Sequence, residues 1–102
     1  MDGHSLISSD ILASYAADAA REVAGVRGLV ESSLHRHRGV RIVEEDDAVT
    51  VELHLAVDWG AHVPTLGAAV QRGVASYLER MADVTPAAVD VVVDEIRPPG
   101  AD

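Results

Sequence analysis

The chain has 102 residues, 8 basic and 17 acidic, for a formal net charge of −9, and 48% of its residues are hydrophobic. That length builds one small domain with a modest core, and the absence of cysteine excludes disulfides, thiolate metal sites and cysteine nucleophiles. The surplus of carboxylates argues against sequence-independent nucleic-acid binding and against direct adhesion to anionic headgroups.

With no Phe, one Trp and two Tyr, the core must come from Val, Leu, Ile and Ala. The opening MDGHSLISSD lacks the basic and apolar regions of a secretory signal. No apolar run approaches the ~20 residues of a membrane helix, so a cytoplasmic protein without direct membrane insertion is expected.

Ser8 or Ser9 is positioned to cap a first helix over residues 9–24, with Asp10 in its first turn. Ile11, Leu12, Tyr15, Ala16, Ala19, Ala20 and Val23 form its apolar stripe, and Gly25 is a natural stop. Residues 29–38 are ambiguous between a helical turn and a loop. A short strand over 40–44, an acidic turn at Glu45-Asp46-Asp47 and a long strand over 48–58 read as a hairpin. In the long strand Val49, Val51, Leu53, Leu55 and Val57 alternate, so one face is buried. A second helix over 64–82 begins beside Pro64, where Gly67 and Gly73 suit close packing on the sheet. Val89, Val91 and Val93 alternate in a last strand ending near Ile96.

The order αββαβ predicts an α+β fold: a single compact domain over residues 6–97, with a three-stranded sheet and two helices packed on one face. Residues 1–5 and 98–102 read as flexible ends. The second sheet face then carries Arg41, Val43, Thr50, Glu52, His54, Ala56, Asp58, Asp90, Val92 and Asp94. On it Val43, Ala56 and Val92 form either a small apolar contact spot ringed by charge or ordinary scattered aliphatics.

Three blocks carry a family likeness. Ile7 to Leu12 followed by Ala19 to Val26 forms an opening helix closing on Glu22-Val23-Ala24-Gly25-Val26. Val49 to Pro64 is a long strand ending in the aromatic-Gly pair Trp59-Gly60, and Val70-Gln71 through Met81 leads to the Val-rich stretch 89–93. In order and spacing these resemble the alkaline shock protein family of bacterial envelope-stress proteins, over about residues 6–96. The chain departs from the family at Ala82-Asp83-Val84, where many members carry Thr-Gly, and at Trp59, where Tyr is more usual. The resemblance implies a non-enzymatic cytoplasmic protein of envelope homeostasis. It also implies recruitment to the membrane through a membrane-anchored partner.

Local motifs add little chemistry. His35-Arg36-His37-Arg38 has His-x-His spacing, but its arginines repel a cation, so a solvated loop is the expectation. Arg27, Arg36, Arg38 and Arg41 make one basic region, which either contacts a partner or offsets the protein's own carboxylates. Gly25-Val26-Arg27-Gly28 formally matches the phosphate-clamping loop of KH domains, although helix termination explains both glycines. The acidic run 44–47 lacks the calcium-loop pattern. His54 lies between Glu52 and Asp58 without a nucleophile or oxyanion arrangement, so it reads as an interface or solvent-facing residue. Asp58 and His62 flank Trp59-Gly60 and are placed to line a pocket mouth, or else to serve the fold.

No catalytic, cofactor or metal residue is assigned. The interaction candidates are Val43, His54, Ala56, Val92, Arg36, Arg38 and Trp59. A self-associating scaffold protein is the expected function, with a KH-like RNA-binding module and a regulator of a housekeeping enzyme as alternatives.

Overall fold

The computed structural model describes residues 7–31 and 39–98. Among them the order is α1 (Ser9–Arg21), β1 (Val26–Leu29), β2 (Val40–Glu45), β3 (Ala48–Asp58), α2 (Val63–Ala82) and β4 (Ala88–Arg97). The fold is the α+β arrangement of a sheet and two helices that the patterning predicts, with one strand more than expected.

The extra strand does not widen the sheet. β3 is central, and β1 and β2 both pair antiparallel along the same edge of it. β2 takes residues 48–53 of β3 and β1 takes residues 55–57, so the two run end to end. β4 pairs parallel with the other edge, which makes the sheet mixed. Alternation could not reveal β1, because Gly28 lies inside it and the register shifts between Val26 and Gly28. The seam between β1 and β2 is closed by His54: its amide donates to the Gly39 carbonyl at 2.9 Å, and its carbonyl accepts from the Val30 amide at 2.8 Å.

Local chemistry sets the element ends. The Ser8 Oγ accepts from the Ile11 amide at 3.1 Å, capping α1. The helix stops at Arg21, earlier than Gly25 would suggest, and the amide of Glu22 bonds back to the Ala19 carbonyl at 3.2 Å. Gly25, at φ +96°, instead turns the chain into β1. The β2–β3 turn places Asp46 and Asp47 at φ 50° and 67°, the left-handed pair that a two-residue hairpin of right-handed twist requires. Asp83 takes φ 56° and ends α2.

One face of β3, with Val49, Val51, Leu53, Leu55 and Val57, is fully buried beneath the helices. Against it α1 brings Leu12, Ala13, Ala16, Ala17 and Ala20, and α2 brings Leu66, Val70, Val74 and Leu78. Each buried Val or Leu contributes roughly 1.5–3 kcal/mol of transfer free energy. A Cβ added at Gly73 would meet Val23, outside the sheet, at 3.9 Å, and one added at Gly67 would meet nothing within 4 Å, so neither glycine is required for close helix–sheet packing. The Gln71 side chain donates to the Val89 carbonyl at 2.9 Å and ties α2 to β4.

Candidate functional site

The outer sheet face is organised around His54. Its Nε2 lies 2.6 Å from the Glu52 Oε2, and its Nδ1 lies 2.8 Å from the Asp94 Oδ2. Glu52 stands two residues away on the same face of β3, the spacing that strand alternation gives. Asp94 comes from β4, where alternation with Val92, the residue opposite His54, puts it on the same face. The β3–β4 register runs from Leu55–Val93 to Ala56–Glu95, so Asp94 is the extra residue of a bulge. Arg41 of β2 approaches Glu52 at 4.0 Å.

His54 is only 8% exposed, so it is neither a solvent-facing residue nor an open contact. Its expected neighbour Asp58 pairs instead with Arg27, Oδ1 to Nη1 at 3.3 Å. Burial opposes a charge on the ring, but the hydrogen bonds to Glu52 and Asp94 and the charges of both carboxylates outweigh it. The His54 pKa is therefore raised above 6.5.

The apolar contact spot expected on this face is not assembled. Ala56 is fully buried, its short side chain sunk between Gly28 of β1 and Glu95 of β4. Val43 sits opposite Thr50 and is half-buried, while Val92 sits opposite His54 and is 38% exposed. Two valines on either side of a charged His54 cluster do not make one patch. Arg27 and Arg41 offset the chain's own carboxylates, though at Asp58 and Glu52 rather than at the acidic turn. Arg36 and Arg38, with the rest of the His35–Arg38 motif, lie outside the described residues.

A second surface surrounds Trp59, which is 67% exposed at the end of β3. Gly60, at φ +88°, turns the chain there, and the Trp59 amide donates to the Arg97 carbonyl at 2.8 Å. Trp59 borders a groove of about 310 Å³ with Ala61, Val63 and Ile96. It also borders a hollow of about 420 Å³ reaching Asp58, His62 and Leu66. Asp58 and His62 thus line the mouth that their sequence positions suggest. His62 also serves the fold, since its Nδ1 accepts from the Thr65 amide at 3.3 Å and caps α2.

Sequence patterns gave no sign of a groove of about 450 Å³ between the helices, lined by Asp18, Glu22, Val23, Gly73, Tyr77 and Arg80. Tyr77 meets Tyr15 edge-on at 5.8 Å and lies 5.4 Å beneath the Arg80 guanidinium. Val26, Arg27 and Gly28 belong to β1, so the Gly25–Gly28 motif is not a loop joining two helices. Among the described residues no three His, Asp or Glu side chains converge to hold a metal ion. In the His54 cluster the two carboxylates stand at opposite ring nitrogens.

The architecture is that of a small α+β domain with a helix-covered sheet. The family model of the alkaline shock proteins, described by a cell envelope-related function, matches residues 1–98, and the chain belongs to that family. Among solved structures the chain is similar to the zinc form of a point variant of MamM CTD, with TM-score 0.65 and 21% identity over 90% of this chain and 89% of that one. It is also similar to the copper form of MamM CTD, with TM-score 0.59 and 17% identity over 92% and 91%. At these identities the likeness is one of fold. A comparison with curated proteins found no match.

Proposed function

We propose that this protein is a non-enzymatic interaction or scaffold module of the envelope stress response, which self-associates and is held near the membrane by a membrane-anchored partner. The observation that carries this reading is the border formed by β4 and Trp59. Among the described residues β4 pairs only with β3, so its other edge is open along ten residues. That edge ends at Arg97, whose carbonyl accepts from the Trp59 amide, so exposed Ile96 and Trp59 meet at its end. Burial of Ala56 removes the middle of the sheet-face contact, which favours the edge as the route of self-association. The family's envelope-related function and the net charge of −9, unsuited to anionic headgroups, support a protein as the link to the membrane.

The test is in-cell crosslinking of the tagged protein, with recovered proteins and nucleic acid both identified, beside light scattering of the purified chain. Recovery of the protein itself with a membrane-anchored protein, and a multimeric mass reduced by Trp59→Ser, is the expected result. Recovery of RNA, or of one soluble enzyme in fixed stoichiometry, overturns it. A monomeric mass at every concentration overturns self-association. A Val92→Asp variant of unchanged mass removes the sheet face from the interface and leaves the edge.

A further inference from the structure

We propose that His54 is a proton-held latch that pins the bulge of the edge strand β4 to the central strand β3. The geometry demands two donors. Both ring nitrogens face carboxylate oxygens, at 2.6 Å and 2.8 Å, and a neutral imidazole carries a single N–H. With Glu52 and Asp94 ionised, a neutral ring would set a nitrogen lone pair against an oxygen lone pair at one of these contacts. The cluster is therefore closed only while it holds one proton more than a neutral histidine and two carboxylates, and that proton belongs to the three groups together.

The two carboxylates are not equally free to leave. Glu52 sits on the central strand with Arg41 at 4.0 Å, and its side chain is 27% exposed. Asp94 is the unpaired residue of a bulge on an edge strand, and its side chain is 35% exposed. Loss of the proton therefore releases Asp94, and with it the β4 segment from Val93 to Ile96. Among the described residues the carboxylates around the ring favour the closed state, and the one cation near it, Arg41, opposes a second positive charge but is held at Glu52. Glu52 shares its strand, Asp94 comes from β4 with Asp90 opposite Glu52, Arg41 comes from β2 through Glu52, and Arg27 of β1 is engaged by Asp58. The raised His54 pKa agrees with this geometry. The latch acts on the edge by which we propose that the protein self-associates, but it stands whether or not that edge binds a second copy.

The test is nitrogen NMR of the His54 ring from about pH 5 to about pH 9, with amide-exchange protection factors of β4 measured across the same range. Protection factors are corrected for intrinsic base catalysis, so a fall reports opening. Expected are two protonated ring nitrogens at neutral pH and a midpoint above the ordinary histidine value. Protection at Val93 to Ile96 should fall about tenfold through that midpoint, while Val51 to Leu53 is unchanged. Asp94→Asn supplies an amide that can pair with a neutral ring, so the pH step should vanish with the fold intact. It keeps the test open if His54→Gln does not fold. A singly protonated ring at neutral pH, or flat protection across the midpoint, overturns the latch.

Discussion

Gly39 stands so close to Val30 that a Cβ added to it would lie 2.7 Å from the Val30 carbonyl oxygen and 2.9 Å from the Val30 nitrogen. These are backbone atoms, which cannot rotate away, and Gly39 also holds φ +79°. The contact is the seam where β1 ends and β2 begins, with the backbone of His54 bonded to both strands. Gly39→Ala is therefore expected to cost roughly 2–3 kcal/mol, combining left-handed strain with displacement of the seam. Gly28→Ala is the control: a Cβ added there would meet nothing within 4 Å and its φ lies outside the left-handed region, so a change within about 0.5 kcal/mol is expected. Urea unfolding of the two variants decides it. Equal losses would mean that the seam is not tightly closed.

The His54 cluster makes stability depend on pH in a defined direction. A histidine whose folded pKa is raised adds stability that is complete below its unfolded value, about 6.5, and that declines as pH rises through the raised folded pKa. The urea midpoint of the wild-type protein should therefore fall on passing from about pH 6 into the mildly alkaline range. The gap between wild type and His54→Gln should narrow over the same window. A gap that widens with pH would mean that burial dominates and the ring is neutral when folded.

Much of this was legible in the chain. The hairpin announces itself because Asp46 and Asp47 suit the left-handed turn and the flanking residues alternate without a break. β1 was hidden because a glycine and a register shift interrupt the only four residues that could show a period. The His54 cluster was half legible. Alternation puts both Glu52 and Asp94 on the face of His54, but Asp94 is 40 residues away, and the strand pairing and register that bring it to the ring leave no mark in composition. Ala56 was misplaced because alternation tells which face a residue occupies, not how deeply neighbouring strands enclose a methyl group.

Trp59 tests whether exposure at the end of β3 serves contact rather than folding. At 67% exposed it adds little to the core, and its backbone amide, not its ring, makes the bond to Arg97. Trp59→Ser should shift unfolding free energy by no more than about 0.5–1 kcal/mol, because the side chain already faces water. The same substitution should lower the mass measured by light scattering. A loss of several kcal/mol would make the indole part of the fold and remove it as a contact residue.

The alanines of α1 carry the last expectation. Ala13, Ala16, Ala17 and Ala20 are at most 2% exposed, so the helix backbone lies close against α2 and the sheet, with no room reserved for larger groups. In a chain without phenylalanine this close approach is how a small core reaches native density. Ala16→Leu adds three methylene equivalents to that interface and must push α1 outward, costing roughly 1–3 kcal/mol or more. Asp18→Ala, on the exposed side of the same helix, loses only a surface pair with Arg21 at 3.3 Å and should cost at most about 0.5 kcal/mol. Urea midpoints of the two variants, with slopes compared to confirm a common unfolded state, separate the cases. A neutral Ala16→Leu would mean that α1 rides higher on the sheet than its burial implies.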